Sequence, residues 1–525
     1  MSDVAGSGSD SDVVREVGLE AAMPDGVRLV ADAWHPAKEG PWPVLLQRLP
    51  YGRSVASAPV LPHPSWLARR GYAVVVQDVR GRGDSEGTFG PFVHEADDGV
   101  ATVEWAAGLP FSNGDVGTYG FSYQGLVQLG VAARRPPSLR AIAPMMCCPD
   151  PYEGWTYEGG CLRWTFGAFW AAQLAAQEEG AVPVVPDLEA LPISRALGDQ
   201  PPGWFLEWLA HPEDDEYWAE RRPDLSAIDV PAFTVLGWFD DFSSGTARII
   251  EVLGAEAVCG PWAHMPWGTR VGEVELGEEA EPSVAHEALL AFFDRVLKGN
   301  ADAPSPKVRY YSGGRGWTSA PSWPPPHRVI SWHATSGGSA NSRHGDGGLV
   351  EGPADPGPPD LFVAEPLVPY PGGVVPLVSE AAPEDRRDVL CYTSPRLTAP
   401  LAIAGSPRLD VISRCDRGSH DVVASLVLVD PLGEPRALST GVRRVRSSPG
   451  QRSQQSFSLR PIAWTCPVGA RLRLDISGAR FPAFDRNPHD GSIAVAGVAR
   501  NAYRVATIEV LAARLELPVE TGAQG

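Results

Sequence analysis

Lysine is almost missing from this sequence. Lys38, Lys298 and Lys307 are its three lysines in 525 residues, and arginine carries the rest of the positive charge. Basic residues number 44 against 64 acidic ones, a net charge of −20. So acidic a chain is repelled by phosphate backbones and anionic lipid, which excludes nucleic acid and membrane surfaces as partners. Cysteine is scarce as well, at seven residues with no C-x-x-C pair among them. The adjacent Cys147 and Cys148 cannot easily close a relaxed bridge. The set therefore reads as reduced, small hydrophobes of a cytoplasmic protein, not as a disulfide framework or a metal site. No apolar run reaches the roughly 18 residues of a membrane-spanning helix. Residues 1–13 are rich in Ser, Asp and Gly, so they are expected to fray, and they lack the basic-then-apolar pattern of a signal peptide. Gly81-Arg82-Gly83 does not continue into a dinucleotide fingerprint and reads as a tight turn. No cofactor and no metal is implied.

The sequence does hold enough apolar matter for large cores, with 43% hydrophobic and 9% aromatic residues. Its 56 glycines and 52 prolines are spread without a period, which means many turns and neither collagen nor a disordered tail. At about 150 residues per domain, the length implies roughly three units.

Their order follows from pattern changes. Val14–Ala21 and Val27–Ala33 alternate around Pro24-Asp25-Gly26, a hairpin. Val44–Leu46 and Ala73–Val76 are short, wholly apolar runs that suit strands buried on both faces of a parallel sheet. Residues 95–107 have helical spacing, Asp115–Tyr119 is a strand, and Gln124–Ala133 is again a helix. This alternation predicts an α/β domain over 14–149. From 150 to 229 the chain turns helical and aromatic, with Trp155, Trp164, Trp170 and Trp208 in it. The strand pattern resumes at Phe233–Leu236, followed by a helix at 243–254, a strand near 257 and a helix from Pro282 to Leu297. Residues 150–229 are thus expected to form a cap inserted into one domain, 14–149 plus 230–322. Beyond Trp323-Pro324-Pro325-Pro326, residues 323–525 carry short alternating runs such as Val422–Val429, Arg471–Ile476 and Tyr503–Leu511, an all-β sandwich or jelly roll.

The chemistry centres on Gly120-Phe121-Ser122-Tyr123-Gln124-Gly125. A serine between a short strand and a helix, with small residues around it, has the context of a nucleophile elbow; the alternative is a serine N-cap in a glycine-rich turn. Asp240, in Gly237-Trp238-Phe239-Asp240, follows the strand 233–236. His264, in Gly260-Pro261-Trp262-Ala263-His264, follows the next strand. Ser, Asp, His is the α/β-hydrolase order, and it supplies a nucleophile, an orienting carboxylate and a base. Taken singly, Asp240 also reads as a helix N-cap before Ser243, and His264 as a hydrogen-bonded loop histidine.

These motifs resemble the cocaine esterase-like acyl hydrolases, the CocE/NonD group, which share their catalytic domain with X-Pro dipeptidyl-peptidases and α-amino-acid ester hydrolases. The resemblance runs from about residue 14 through Asp25–Leu29, Pro50-Tyr51, Gly71-Tyr72, Asp78–Gly81, Ser85–Gly87, Asn113–Gly117, Phe292–Arg295 and Phe481–Asn487. The family's elbow is G-x-S-Y-x-G, which Gln124 and Gly125 match. It implies an α/β-hydrolase domain with a helical cap and a C-terminal β jelly roll. It also implies Ser122 as nucleophile, His264 as base, Asp240 as orienter, and an oxyanion hole from the Tyr51 phenol and the Tyr123 backbone N–H. Trp155, Trp170 and Phe242 match positions that clasp the acyl group. Asp241 stands where esterases of the group commonly have a small residue. It is either a solvated loop carboxylate or a second acid that selects a cationic substrate.

The expected activity is hydrolysis of ester or amide bonds in small molecules with a hydrophobic or aromatic acyl group, through an acyl-enzyme. An X-Pro dipeptidyl-peptidase or aminoacyl ester hydrolase, an acyltransferase using the same triad, and a catalytically silent binding module are the alternatives. The partner is a small-molecule substrate, and a homo-oligomer stays open.

Overall fold

A computed structural model describes residues 12–54, 60–177, 182–300 and 307–521. Of the tail expected to fray, residues 1–11 lie outside the described residues. Val13 departs from that expectation, because it already pairs with Pro36 as the first residue of a strand.

The central sheet is built from β1 (Val13–Ala22), β2 (Arg28–Pro36), β3 (Trp42–Leu49), β4 (Ala73–Asp78), β5 (Ser112–Phe121) and β6 (Leu139–Met145). It continues with β7 (Phe233–Phe239), β8 (Glu256–Ala263), β9 (Val308–Ser312) and β10 (Gly316–Ala320). One block runs β1-β2-β4-β3-β5-β6 and the other β7-β8-β9-β10. Ile142 bridges to Ala232, and Met146 N–H donates to Val235 at 2.8 Å, which makes the two blocks one surface. The strands from β4 through β6, and from β7 through β9, are parallel. All six residues of β4 are buried, its first four as the apolar run Ala73–Val76 and its last two, Gln77 and Asp78, as buried polar groups. The helices Glu95–Ala107, Tyr123–Ala133, Ser243–Leu253 and Ser283–Lys298 cover the sheet. The first of these opens on Glu95, Asp97 and Asp98, which suit the positive end of its dipole.

The cap is less helical than its sequence implies. Helices occupy Trp164–Ala175, Gly203–Ala210 and Glu216–Ala219, and a two-rung hairpin joins Tyr157–Glu158 to Cys161–Leu162. Most of the rest is irregular. Trp155, Trp164, Trp208 and Trp218 are essentially unexposed, so most of this aromatic mass forms the cap's own core.

The C-terminal strands form a sandwich whose apolar core lies between its layers. Its longest strand is Ala506–Glu520, not the short run Tyr503–Leu511 that the pattern suggests. Opposite it, the register slips between Ile412 and Ser413, so that Ile412 faces Ala512 while Ser413 faces Val510. Leu511 is thus a bulge that breaks the alternation, and the strand hides from a period-two reading.

Candidate active site

β5 delivers Ser122 to the start of the helix Tyr123–Ala133. The serine sits at φ 61° and ψ −130°, a conformation costing about 1–3 kcal/mol for a residue with a side chain. Its backbone N–H donates to Met145 at 2.9 Å and Met146 at 3.1 Å, which hold it there. Two glycines permit the turn. Gly120 has φ +149°, and a Cβ on it would lie 2.5 Å from the Gln124 Cβ. A Cβ on Gly125 would lie 2.7 Å from the Cys147 sulfur.

Tyr123 is the first helical residue, so its backbone N–H has no acceptor within the helix. Its phenol donates to the buried carboxylate of Glu95 and its ring stacks on Phe92 at 5.0 Å. Burial lifts the Glu95 carboxyl above the usual range despite that bond. Glu95 escaped the sequence reading because it looks like an ordinary first-turn acid.

Asp240 follows β7 and is completely buried. Its Oδ1 lies 2.7 Å from Nδ1 of His264, the residue that follows β8. Its side chain does not cap the next helix, whose N-cap is Phe242. The His264 ring packs against Phe121 and Phe242 at 5.4 and 5.3 Å.

Tyr51 stands beyond β3, on a loop pinned where the Arg53 N–H donates to Asp78 at 2.6 Å. Its hydroxyl accepts from Trp170 Nε1 at 3.1 Å and also meets the Ser122 hydroxyl. Burial pushes the phenol up to about 12 against those two bonds, so it keeps its proton at neutral pH.

One cavity of about 980 Å³ has Ser122, His264, Tyr51, Trp170 and Asp241 on its wall. Phe166 and Phe169, two more aromatics of the cap, line it too. Trp155 and Phe242 stand elsewhere. They are 0% and 1% exposed, stacked on each other at 4.6 Å and 17°, one layer behind the wall. Asp241 is 44% exposed on the cavity wall, yet it is not a lone loop carboxylate, for it reaches Arg163 of the cap at 3.2 Å and Arg460 of the β domain at 3.1 Å. Neither arginine carries a local signal in the sequence. Among the described residues, no cluster of His, Cys, Asp and Glu could hold a metal ion.

Residues 25–266 match the family model of the X-Pro dipeptidyl-peptidase (S15 family), and residues 300–507 match that of the X-Pro dipeptidyl-peptidase C-terminal non-catalytic domain. The cocaine esterase of Rhodococcus sp. (strain MB1 Bresler) is 30% identical, over 90% of this chain and 92% of its own. An aminopeptidase from a marine sediment archaeon, Thaumarchaeota archaeon, superposes with a TM-score of 0.84 at 21% identity over 99% of both chains. An α-amino acid ester hydrolase does so with 0.83 at 22% identity, over 99% of this chain and 98% of its own. These two likenesses establish a shared fold.

Proposed function

The chain belongs to the cocaine esterase-like (CocE/NonD) hydrolases, within the serine esterases and X-Pro dipeptidyl-peptidases, and on that premise we propose that it cleaves ester or amide bonds of small molecules with a hydrophobic or aromatic acyl group. The observation that carries this reading is the 2.7 Å bond from Asp240 to His264 Nδ1, beside the cavity whose wall also holds the strained Ser122.

In the reaction we assign, the Ser122 hydroxyl oxygen attacks the substrate carbonyl while its proton passes to His264 Nε2. Asp240 keeps Nδ1 protonated and stabilises the imidazolium. The tetrahedral oxygen takes hydrogen bonds from the Tyr51 phenol and the Tyr123 N–H, donors worth on the order of 3 kcal/mol each. His264 returns the proton to the departing alcohol or amine, leaving an acyl-serine. Water then repeats the sequence and releases the acid. Phe166, Phe169 and Trp170 give the acyl group an apolar wall. Plain acyl groups are favoured over aminoacyl ones, because an ammonium would need a free carboxylate and Asp241 already faces two arginines. We place the enzyme in the cytoplasm, in keeping with seven free, buried cysteines.

Turnover of p-nitrophenyl esters by the wild type and by Ser122→Ala tests the assignment. Activity is expected to vanish in the variant; equal rates would remove the mechanism. Faster release from an X-Pro p-nitroanilide than from any ester would move the assignment to a dipeptidyl-peptidase.

A further inference from the structure

The carboxylate that orients His264 has a single side-chain hydrogen bond among the described residues. Asp240 Oδ1 accepts from His264 Nδ1, and no described residue donates to its buried Oδ2. Packing around its fully buried side chain and its own backbone fix the rest. In that backbone the Asp240 N–H donates to Gly237 at 3.2 Å and the Ser243 N–H donates to Asp240 at 3.2 Å, a turn of two long bonds. The next two residues carry the anchors.

Asp241 is gripped from both sides. Arg163, 2% exposed and from the cap, lies 3.2 Å from its Oδ1, and Arg460 of the β domain donates to the same oxygen at 3.1 Å. Glu158 completes the group, 2.8 Å from Arg460, so two cations and two anions neutralise one another where three parts of the chain meet. Phe242 has its own anchor in the stack on Trp155. Arg163 ties the two together, since its guanidinium lies 4.9 Å from the Phe242 ring and also donates to the backbone carbonyl of Trp155 at 3.2 Å. Burial opposes the charge of Asp241, but Arg163, Arg460 and His264 outweigh it and hold the carboxyl below its usual range.

We propose that Asp241, clamped by Arg163 and Arg460, is a positioning residue that holds the Asp240 turn, and through it His264, in register for catalysis. The proposal rests on the hydrolase assignment and replaces the idea that Asp241 selects a cationic substrate. A loosened turn displaces the base by a fraction of an ångström to an ångström, which is enough to cost about 100-fold in rate.

The test compares two p-nitrophenyl esters that differ by one ammonium, phenylacetate and phenylglycinate, on Asp241→Asn, Arg460→Gln and Arg460→Lys. Both esters should lose about 10- to 100-fold in kcat in the first two variants, at KM within about twofold of wild type. Arg460→Lys, which restores a cation, should recover most of the loss. A loss confined to the phenylglycinate ester and carried by KM would overturn the proposal in favour of a selecting carboxylate. Unchanged kcat in Asp241→Asn and Arg460→Gln would overturn it outright. If Asp241→Asn does not fold, Arg460→Gln decides by the same criteria. Labelling by a fluorophosphonate separates the two layers of argument. Wild type that fails to label at Ser122 defeats the hydrolase assignment, whereas variants that label to full stoichiometry but slowly support the clamp.

Discussion

Ser122 and Asp240 both stand where a strand of the central sheet ends, yet they are held there by different means. The serine turn is fixed inside the catalytic sheet, by its own glycines and by the end of the adjacent strand β6. Its N–H reaches Met145 and Met146, Gly120 accepts a φ of +149°, and Gly125 leaves room for Cys147. The aspartate turn borrows its rigidity from remote residues: Arg163 and Trp155 in the cap and Arg460 in the β domain, which is 219 positions away from Asp241. A turn held by the neighbouring strand needs only the catalytic sheet to be in place. A turn fixed by tertiary ion pairs needs three parts of the chain assembled. On the proposal above, the cap and the β domain support catalysis through the Asp240 turn.

The largest expected effect tests whether the aspartate turn matters as much as the serine turn. Asp240→Asn should lower kcat on p-nitrophenyl esters by on the order of 10⁴-fold while the protein stays folded by circular dichroism. A loss under about tenfold would mean that His264 is oriented by something else. Next comes a group outside both turns. Tyr51→Phe removes one oxyanion donor and should cost about 10²- to 10³-fold in kcat at little change in KM. A change confined to KM would make Tyr51 a wall residue only.

That contrast also explains what could be read before the structure. The elbow was legible because its requirements are local: small residues and a serine at fixed spacing. Asp240 and His264 were legible because each follows a buried strand, and β7 and β8 read as apolar runs. The clamp was not legible, since Arg163 and Arg460 are two arginines among many, and their meeting at Asp241 exists only after the domains pack. The same is true of Trp155 and Phe242. Motif matching placed them at the acyl group, but a 17° stack behind the wall is a matter of packing, which spacing cannot express.

A third prediction asks whether the remote support weakens with the domain that supplies it. His420, in the β-domain strand Ser419–Val429, is completely buried with its Nε2 2.8 Å from the Ser413 hydroxyl. Burial lowers its pKa from an ordinary 6.5 to about 4, with His489 adding to the shift and Asp421 opposing it. The unfolded chain therefore binds more protons than the folded one between those values. Stability from this residue is complete above about pH 6.5 and is lost as pH falls toward 4, by about 3 kcal/mol in all. Urea midpoints at pH 7.5 and 5 should separate for the wild type and draw together in His420→Gln. An equal separation in both would assign the acid loss to other groups.

The smallest effect is expected where the support is local, and it should differ in kind. Gly120→Ala places a methyl group 2.5 Å from the Gln124 Cβ at a φ that favours glycine, so the elbow itself must shift. Overpacking and strain of this kind cost about 1–3 kcal/mol, and in a chain of 525 residues the melting temperature should fall by about 1 °C for each kcal/mol. Because the strained turn carries Ser122 itself, that loss of stability should come with a loss of kcat. Asp241→Asn should do the reverse, lowering kcat out of proportion to any fall in melting temperature, since Asp241 is 44% exposed and Glu158 still faces both arginines. If Gly120→Ala melts like the wild type while Asp241→Asn melts far below it, the two turns have been assigned the wrong way round. The clamp would then be a support of the fold first and of the chemistry second.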